Sequence, residues 1–298
     1  MGEIAALLTA LCWGLSSIFF TATSREAGPV PVNRMRLLFA VPLLLISHVI
    51  LTGQLLPLQA EPSRWLWFGL SGIVGLVIGD TLLFACYLLI GNRLGTLLMA
   101  SVPVMSSLAA YLFLGEELDP LSLLGMFICI FGITLVVLER SNGNGNGSPR
   151  DNRRFWLGVL AGLGGALGQA AGLVLAKQGL MGDFPTISGT LIRMLAAMLF
   201  IWLITLFMGQ IRQTFLKVFS SFKLVRNIFA GSLVGPFIGV WLSQIAIQNT
   251  SVGVASTLMS LTPVFMLPVA KWYYKEDVSW RAVIGTLVAL VGVAIIFL

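Results

Sequence analysis

Asp80 stands in the stretch GDTLLFACY, residues 79–87, with apolar residues on both sides of it in sequence. A carboxylate in such a run must meet water, a cation or a proton, so ionisable groups of this kind are candidates for binding substrate or ions. Read as a helix, the stretch brings Phe84 and Tyr87 onto the same face at i+4 and i+7. Two roles stay open for Asp80: lining a wet cavity, or pairing with a buried base. Trp241, Gln244 and Gln248 share another face at helical spacing. Their amide and indole groups either meet a ligand or tie helices together by hydrogen bonds. Thr9, Trp13, Ser16 and Phe20 make a third mixed face, and Gln169 interrupts a glycine-rich run. Arg193 lies deep enough to bind an anion or to pair with Asp80. Arg36, Lys177 and Lys271 lie nearer the ends of their runs, where long basic side chains are expected to snorkel. His48, the single histidine, is too near the end of its run to be the first choice for proton coupling.

Other chemistry finds few residues to use. Cys12, Cys86 and Cys129 fall in three different runs and have neither metal-ligand spacing nor a disulfide framework. The chain contains no HExxH helix, no GxSxG elbow and no GxxxxGK[ST] loop. The expectation is therefore no metal, no cofactor, no nucleic acid and no ATP, which counts against an intramembrane enzyme.

The elements that must position these residues are apolar. Of 298 residues, 57% are hydrophobic and only 10% charged, against about a quarter charged in a soluble domain. A helix needs about 20 apolar residues to cross the hydrocarbon layer. Ten such runs are expected, near 3–23, 32–52, 65–90, 94–114, 120–138, 155–178, 185–208, 224–248, 252–274 and 279–298. The fold class is an all-α polytopic membrane protein. The segment ERSNGNGNGSPRDNRR, 139–154, has nothing to anchor a core and reads as a flexible polar linker between halves 1–138 and 155–298.

The halves repeat each other. At a constant offset of 160, Gly75 meets Gly235, Gly79 meets Gly239, Pro103 meets Pro263 and Glu116 meets Glu276. Gly125 likewise meets Gly285, and Gly132 meets Gly292. An odd number of spans per repeat puts the copies in opposite membrane orientations, so the expectation is ten transmembrane helices as two inverted five-helix repeats. Pro103 and Pro263 would fall near mid-membrane, as packing kinks or as kinks that line a cavity. The repeats agree on glycine and proline but differ at Asp80 (Val240 in the second copy) and at Gln244 (Phe84 in the first). Such unshared polar groups suit a ligand better than a scaffold.

Trp13-Gly14 and the blocks VPVMSSLAAYLFLGEELDPLSLLGMFICIFGITLVVL and TPVFMLPVAKWYYKEDVSWRAVIGTLVALVGVAIIFL resemble the drug/metabolite transporter superfamily, EamA type, across essentially the whole chain. The second half departs from that pattern, with Leu167-Gly168 in place of Trp-Gly. The resemblance implies a multi-pass cell-membrane permease that moves small metabolites by alternating access, often outward. Amino-acid-like or drug-like compounds would be the substrates, with protons or a counter-substrate as coupling partner, in a monomer or weak homodimer. A flippase for lipids or lipid-linked sugars is the alternative it leaves open.

Fifteen of the 18 Lys and Arg residues fall on the side of the 139–154 segment. By the positive-inside rule that side is cytosolic and both termini lie outside, whereas the resemblance implies cytosolic termini. Trp272, Tyr273 and Tyr274 are expected in an interfacial aromatic belt.

Overall fold

The computed structural model describes residues 1–117, 119–139, 152–272 and 280–296. Most of the 139–154 segment, and Tyr273, Tyr274 and Glu276, lie outside the described residues, as do the side chains of Lys271 and Trp272. Among the described residues every regular element is helical. In chain order these are α1 (Gly2–Ala27), α2 (Pro29–Thr52), α3 (Pro62–Ser71), a first π-helical segment (Gly72–Gly79) and α4 (Asp80–Met99). Then come α5 (Val102–Leu114), α6 (Pro120–Glu139), α7 (Asn152–Leu180), α8 (Thr186–Phe207) and α9 (Ile211–Val218). The chain ends with α10 (Phe222–Ser232), a second π segment (Leu233–Gly239), α11 (Val240–Asn249), α12 (Val252–Met259), α13 (Thr262–Trp272) and α14 (Trp280–Ile296). Among the described residues, six helical stretches are long and apolar enough to cross a membrane, and four shorter apolar helices accompany them. This is a polytopic membrane protein.

Local sequence sets the boundaries. Gly28, at φ 90°, separates α1 from α2, and Pro29 opens α2 where its missing N–H costs nothing. Gly53 and Gly115 end α2 and α5 in the left-handed conformation that favours glycine. Although α4 is continuous to Met99, a Cβ on Gly95 would stand 2.5 Å from the Tyr87 ring. A straight helix would hold residues eight apart about 12 Å from each other, so α4 bends sharply between them.

Three features differ from the sequence reading. The amphipathic helix α9, between the seventh and eighth runs, was not expected. The prolines do not kink the fourth and ninth runs at mid-helix. Both runs are broken outright, around residues 100–101 and 260–261, and Pro103 and Pro263 sit in the first turn of the following helices α5 and α13. Proline is tolerated there because a first-turn N–H has no intrahelical acceptor anyway. Finally, the matched glycines around residues 75 and 235 lie in π segments, the wide turns that commonly mark functional sites.

Glycines let backbones touch across the bundle. A Cβ on Gly125 would stand 2.8 Å from the Gly292 carbonyl, and one on Gly132 only 2.6 Å from the Gly285 carbonyl. Thus α6 and α14 cross at backbone distance. The first π segment packs in the same manner on α7, where Gly79 meets the backbone of Gly168 and Gln169, whereas in the second Gly239 meets the side chains of Cys12 and Trp13 on α1.

Candidate functional site

A cavity of about 450 Å³ runs from the two helix breaks toward the α1–α2 turn. Met99, Ala100 and Val102 border it from one break, and Met259, Ser260 and Thr262 from the other. At a broken helix the freed backbone groups need partners, and non-helical backbone at membrane depth is tolerated where it is buried in protein or faces a wet cavity. Thr262 supplies part of that satisfaction, its hydroxyl donating to the carbonyls of Met259 and Ala10, both at 3.1 Å.

On the wall stands Asp80, at the point where the first π segment hands over to α4. The wide turn is closed by the Asp80 N–H donating to the Gly75 carbonyl, and Gln169 Nε2 reaches that same carbonyl at 3.4 Å. The carboxylate accepts from Gln169 Nε2 at one oxygen and from Arg36 Nη2 at the other. Arg36 is therefore not a snorkelling residue. Its helix starts at Pro29, which puts it two turns deep. Asn33 Oδ1 accepts from its Nε at 2.7 Å, and its guanidinium lies 5.7 Å from the Phe20 ring centroid and 5.3 Å from that of Phe84. Asn33 is itself held by its Nδ2 donating to Leu76 O and Thr81 Oγ1, at 3.4 and 3.3 Å. The pair keeps 10% of the Arg36 side chain and 9% of Asp80 exposed, so it faces the cavity without being flooded. A guanidinium held between two rings and a carboxylate is a fixed charge pair at an apolar wall. It offers a polar, doubly charged anchor inside an otherwise aromatic and aliphatic space.

Of the residues singled out from sequence, Trp13, Ser16, Asp80, Phe84, Tyr87, Gln169 and Pro263 line this cavity. Phe20, from the mixed face of α1, joins them, and so does Arg36. Thr9, on the same helix, is buried elsewhere, its hydroxyl donating to Ala5 O. The other candidates stand outside the cavity. Trp241 Nε1 donates to Thr186 Oγ1 at 3.1 Å and Gln248 Nε2 to Phe184 O at 2.9 Å, so both tie α11 to α8 and its entry loop. Gln244 is fully buried, and neither of its amide atoms has a hydrogen-bond partner. Pro103 lies beside the break but is not part of the lining. Arg193 is buried behind the wall, its Nη2 at 3.0 Å from where a Cβ on Gly75 would be. Among the described residues it is Arg36, not Arg193, that makes the ion pair with Asp80.

The end of the bundle where α1 begins is closed. Glu116, just past the left-handed Gly115, accepts from the Val252 N–H at 2.8 Å and so caps α12. Its other oxygen lies 3.5 Å from Lys177 Nζ. Lys177 also donates to the carbonyls of Ile247 and Thr250, so it too turns inward and does not snorkel. His48 Nδ1 donates to Gln54 O at 2.6 Å, and its Nε2 shares a hydrogen bond with Ser188 Oγ at 3.0 Å, a tie between α2 and α8.

Sequence reasoning missed Asn33, Arg36, and the joining of Glu116 to Lys177. The one signal for the first two was their i, i+3 spacing, which puts Asn33 and Arg36 on a common face. No local pattern links Glu116 to Lys177, which are brought together only by the fold.

Comparison with known proteins agrees with this architecture. A solved crystal structure superposes with a TM-score of 0.78 at 16% identity, covering 99% of this chain and 95% of its own. Protein PagO of Salmonella typhimurium is 21% identical over 291 residues, 98% of this chain and 91% of PagO. The probable 4-amino-4-deoxy-L-arabinose-phosphoundecaprenol flippase subunit ArnE of Erwinia tasmaniensis is 36% identical over 63 residues, 21% of this chain and 56% of ArnE. The model of the EamA-like transporter family matches residues 1–138 and 156–298, and the chain belongs to that family.

Proposed function

We propose that the protein is a secondary exporter of small amphipathic, amino-acid-like or drug-like metabolites, with the Arg36–Asp80 pair as the polar anchor of its substrate site. The carrying observation is a charge pair facing a cavity of about 450 Å³ with aromatic walls. A substrate with an apolar body and one or two charges would exchange its own groups for those of the pair. The architecture we propose is ten spans in two inverted five-helix repeats, at 1–138 and 155–298, joined by the polar 139–154 segment. The reciprocal glycine contacts of α6 with α14, and of each π segment with the first helix of the other half, support it. Alternating access would then exchange the closed end at Glu116 for an open one. The inner or plasma membrane is the proposed location, in a monomer or weak homodimer.

The similarity to ArnE supports a second reading, a flippase for lipid-linked sugars. Size argues against it as the first choice. A cavity of this volume suits a drug-sized molecule, and a polyprenyl carrier could place only its head group there. Purified protein in liposomes loaded with labelled amino acids, drug-like amphiphiles or a polyprenyl-phosphate sugar separates the two readings. Counterflow of the soluble compounds, abolished in the Arg36→Gln/Asp80→Asn double variant, is expected. Translocation of the lipid-linked sugar alone would overturn the exporter reading.

A further inference from the structure

On the outer face of the bundle, α2, the first π segment with the start of α4, the end of α8 and the short helix α9 enclose a second groove of about 620 Å³. It is separate from the cavity described above. Val77 and Ile201 form its buried floor, and Ile78, Ile204 and Met208 carry the apolar wall outward, with Met208 61% exposed. At one end sits Arg34, only 4% exposed. Its Nη1 donates to Thr214 Oγ1 at 2.8 Å and its Nη2 to Gln210 Oε1 at 2.9 Å. Its Nε, also buried, has no partner.

Both acceptors are neutral. No carboxylate lines the groove, and among the described residues no acid pairs with Arg34. A buried guanidinium without a counter-charge is costly, and here it faces a groove. Lys217, exposed on α9, adds a second cation at the rim. Phe215 and Leu216 beside it are exposed as well. An amphipathic helix with basic and apolar residues of this kind lies in the membrane interface, which sets Arg34 and Lys217 near the level of lipid head groups.

We propose that this groove is a binding site for one anionic phospholipid, its phosphate held by Arg34 and Lys217 and an acyl chain laid along the apolar wall. A soluble anion would satisfy the charges but leave the wall uncovered, and a zwitterionic lipid would bring its own cation against them. Basic pockets between membrane helices recognise acidic lipid head groups for these reasons.

Native mass spectrometry of the full chain in detergent tests the assignment, with added dioleoyl phosphatidylglycerol, dioleoyl phosphatidylcholine or inorganic phosphate. One phosphatidylglycerol per chain is expected to be retained in preference to phosphatidylcholine, and excess inorganic phosphate should not displace it. Lys217→Gln should lower that retention about five-fold, the effect of ~1 kcal/mol per basic side chain near an anionic surface. Ile204→Trp, which fills the groove without touching either charge, should abolish it. Arg34→Gln should do the same. Because Arg34 also holds α9, that variant is read only if it folds, and the other two stand without it. Equal retention of both lipids, displacement by phosphate, or unchanged retention in Lys217→Gln and Ile204→Trp would each overturn the proposal.

Discussion

Removing either half of the Arg36–Asp80 pair leaves the other charge among rings and aliphatic side chains, a loss of about 3–5 kcal/mol for buried pairs. Asp80→Asn keeps the side chain's size and would pass as harmless on sequence grounds, but it strands Arg36 between Phe20 and Phe84. Asp80→Asn and Arg36→Gln alone are therefore expected to lower Tm sharply. The Arg36→Gln/Asp80→Asn double variant should recover most of that loss, because no unpaired charge remains. Transport should be absent in all three if the pair meets substrate. A double variant that transports like the wild type would reduce the pair to a structural tie. Gln244 makes the opposite case. Its amide is fully buried with no partner at either atom, and an unsatisfied buried polar group costs about 1–3 kcal/mol. Gln244→Met should therefore raise Tm by roughly 2–6 °C and leave transport unchanged. Loss of transport in that variant would return Gln244 to the substrate site.

At the scale of elements, the broken runs and the contact that closes one end belong together. Sequence showed Pro103 and Pro263 at matching positions, but a proline fits a mid-helix kink and a first turn equally well, and only neighbours decide between them. The π segments were visible merely as paired glycines. Arg36 and Lys177 were misread because snorkelling is a rule about distance from a helix end, whereas both residues obey a partner supplied by another helix. What composition and periodicity did reveal was the apolar helices and the face carrying Asp80, Phe84 and Tyr87. The contact of Glu116 with Val252 N and Lys177 seals the end where α1 begins, placing a carboxylate on the N-terminus of α12, worth about 0.3–1 kcal/mol from the helix dipole. Glu116→Gln keeps the shape and removes the charge. With the three native cysteines replaced by alanine, maleimide labelling of Ser260→Cys from that side should rise about two- to five-fold in the Glu116→Gln background. Labelling that does not change would mean that the end is held shut by packing alone.

The whole molecule is held across its two halves by backbone contact. Gly125 meets Gly292 and Gly132 meets Gly285, and these are repeat partners exchanged across the crossing of α6 and α14. Such reciprocity is what a two-fold relation between the halves produces, and it agrees with the inverted architecture proposed above. Membrane helices gain little hydrophobic energy from meeting one another, so close packing at small residues carries much of their association. By contrast, the 139–154 segment is rich in Gly, Asn and Ser, with no apolar residue to bury. The halves should therefore not need a covalent connection once folded. A protease site introduced within 141–149, cut after purification, is expected to leave the two pieces comigrating on size exclusion, with Tm and transport close to those of the uncut chain. Gly132→Leu should reverse this result. A Cβ alone would stand 2.3 Å from the Ala289 nitrogen, so the larger side chain must push α6 and α14 apart, at a cost of about 1–3 kcal/mol or more. In the uncut chain that variant should lower Tm while the linker holds the halves together. After the cut, the pieces should separate. If the cut Gly132→Leu protein still migrates as one particle, the other inter-half contacts hold the halves, among them α4 on α7, α2 on α8 through His48 and Ser188, and Glu116 with Lys177, and the α6–α14 crossing is not the main bond between them.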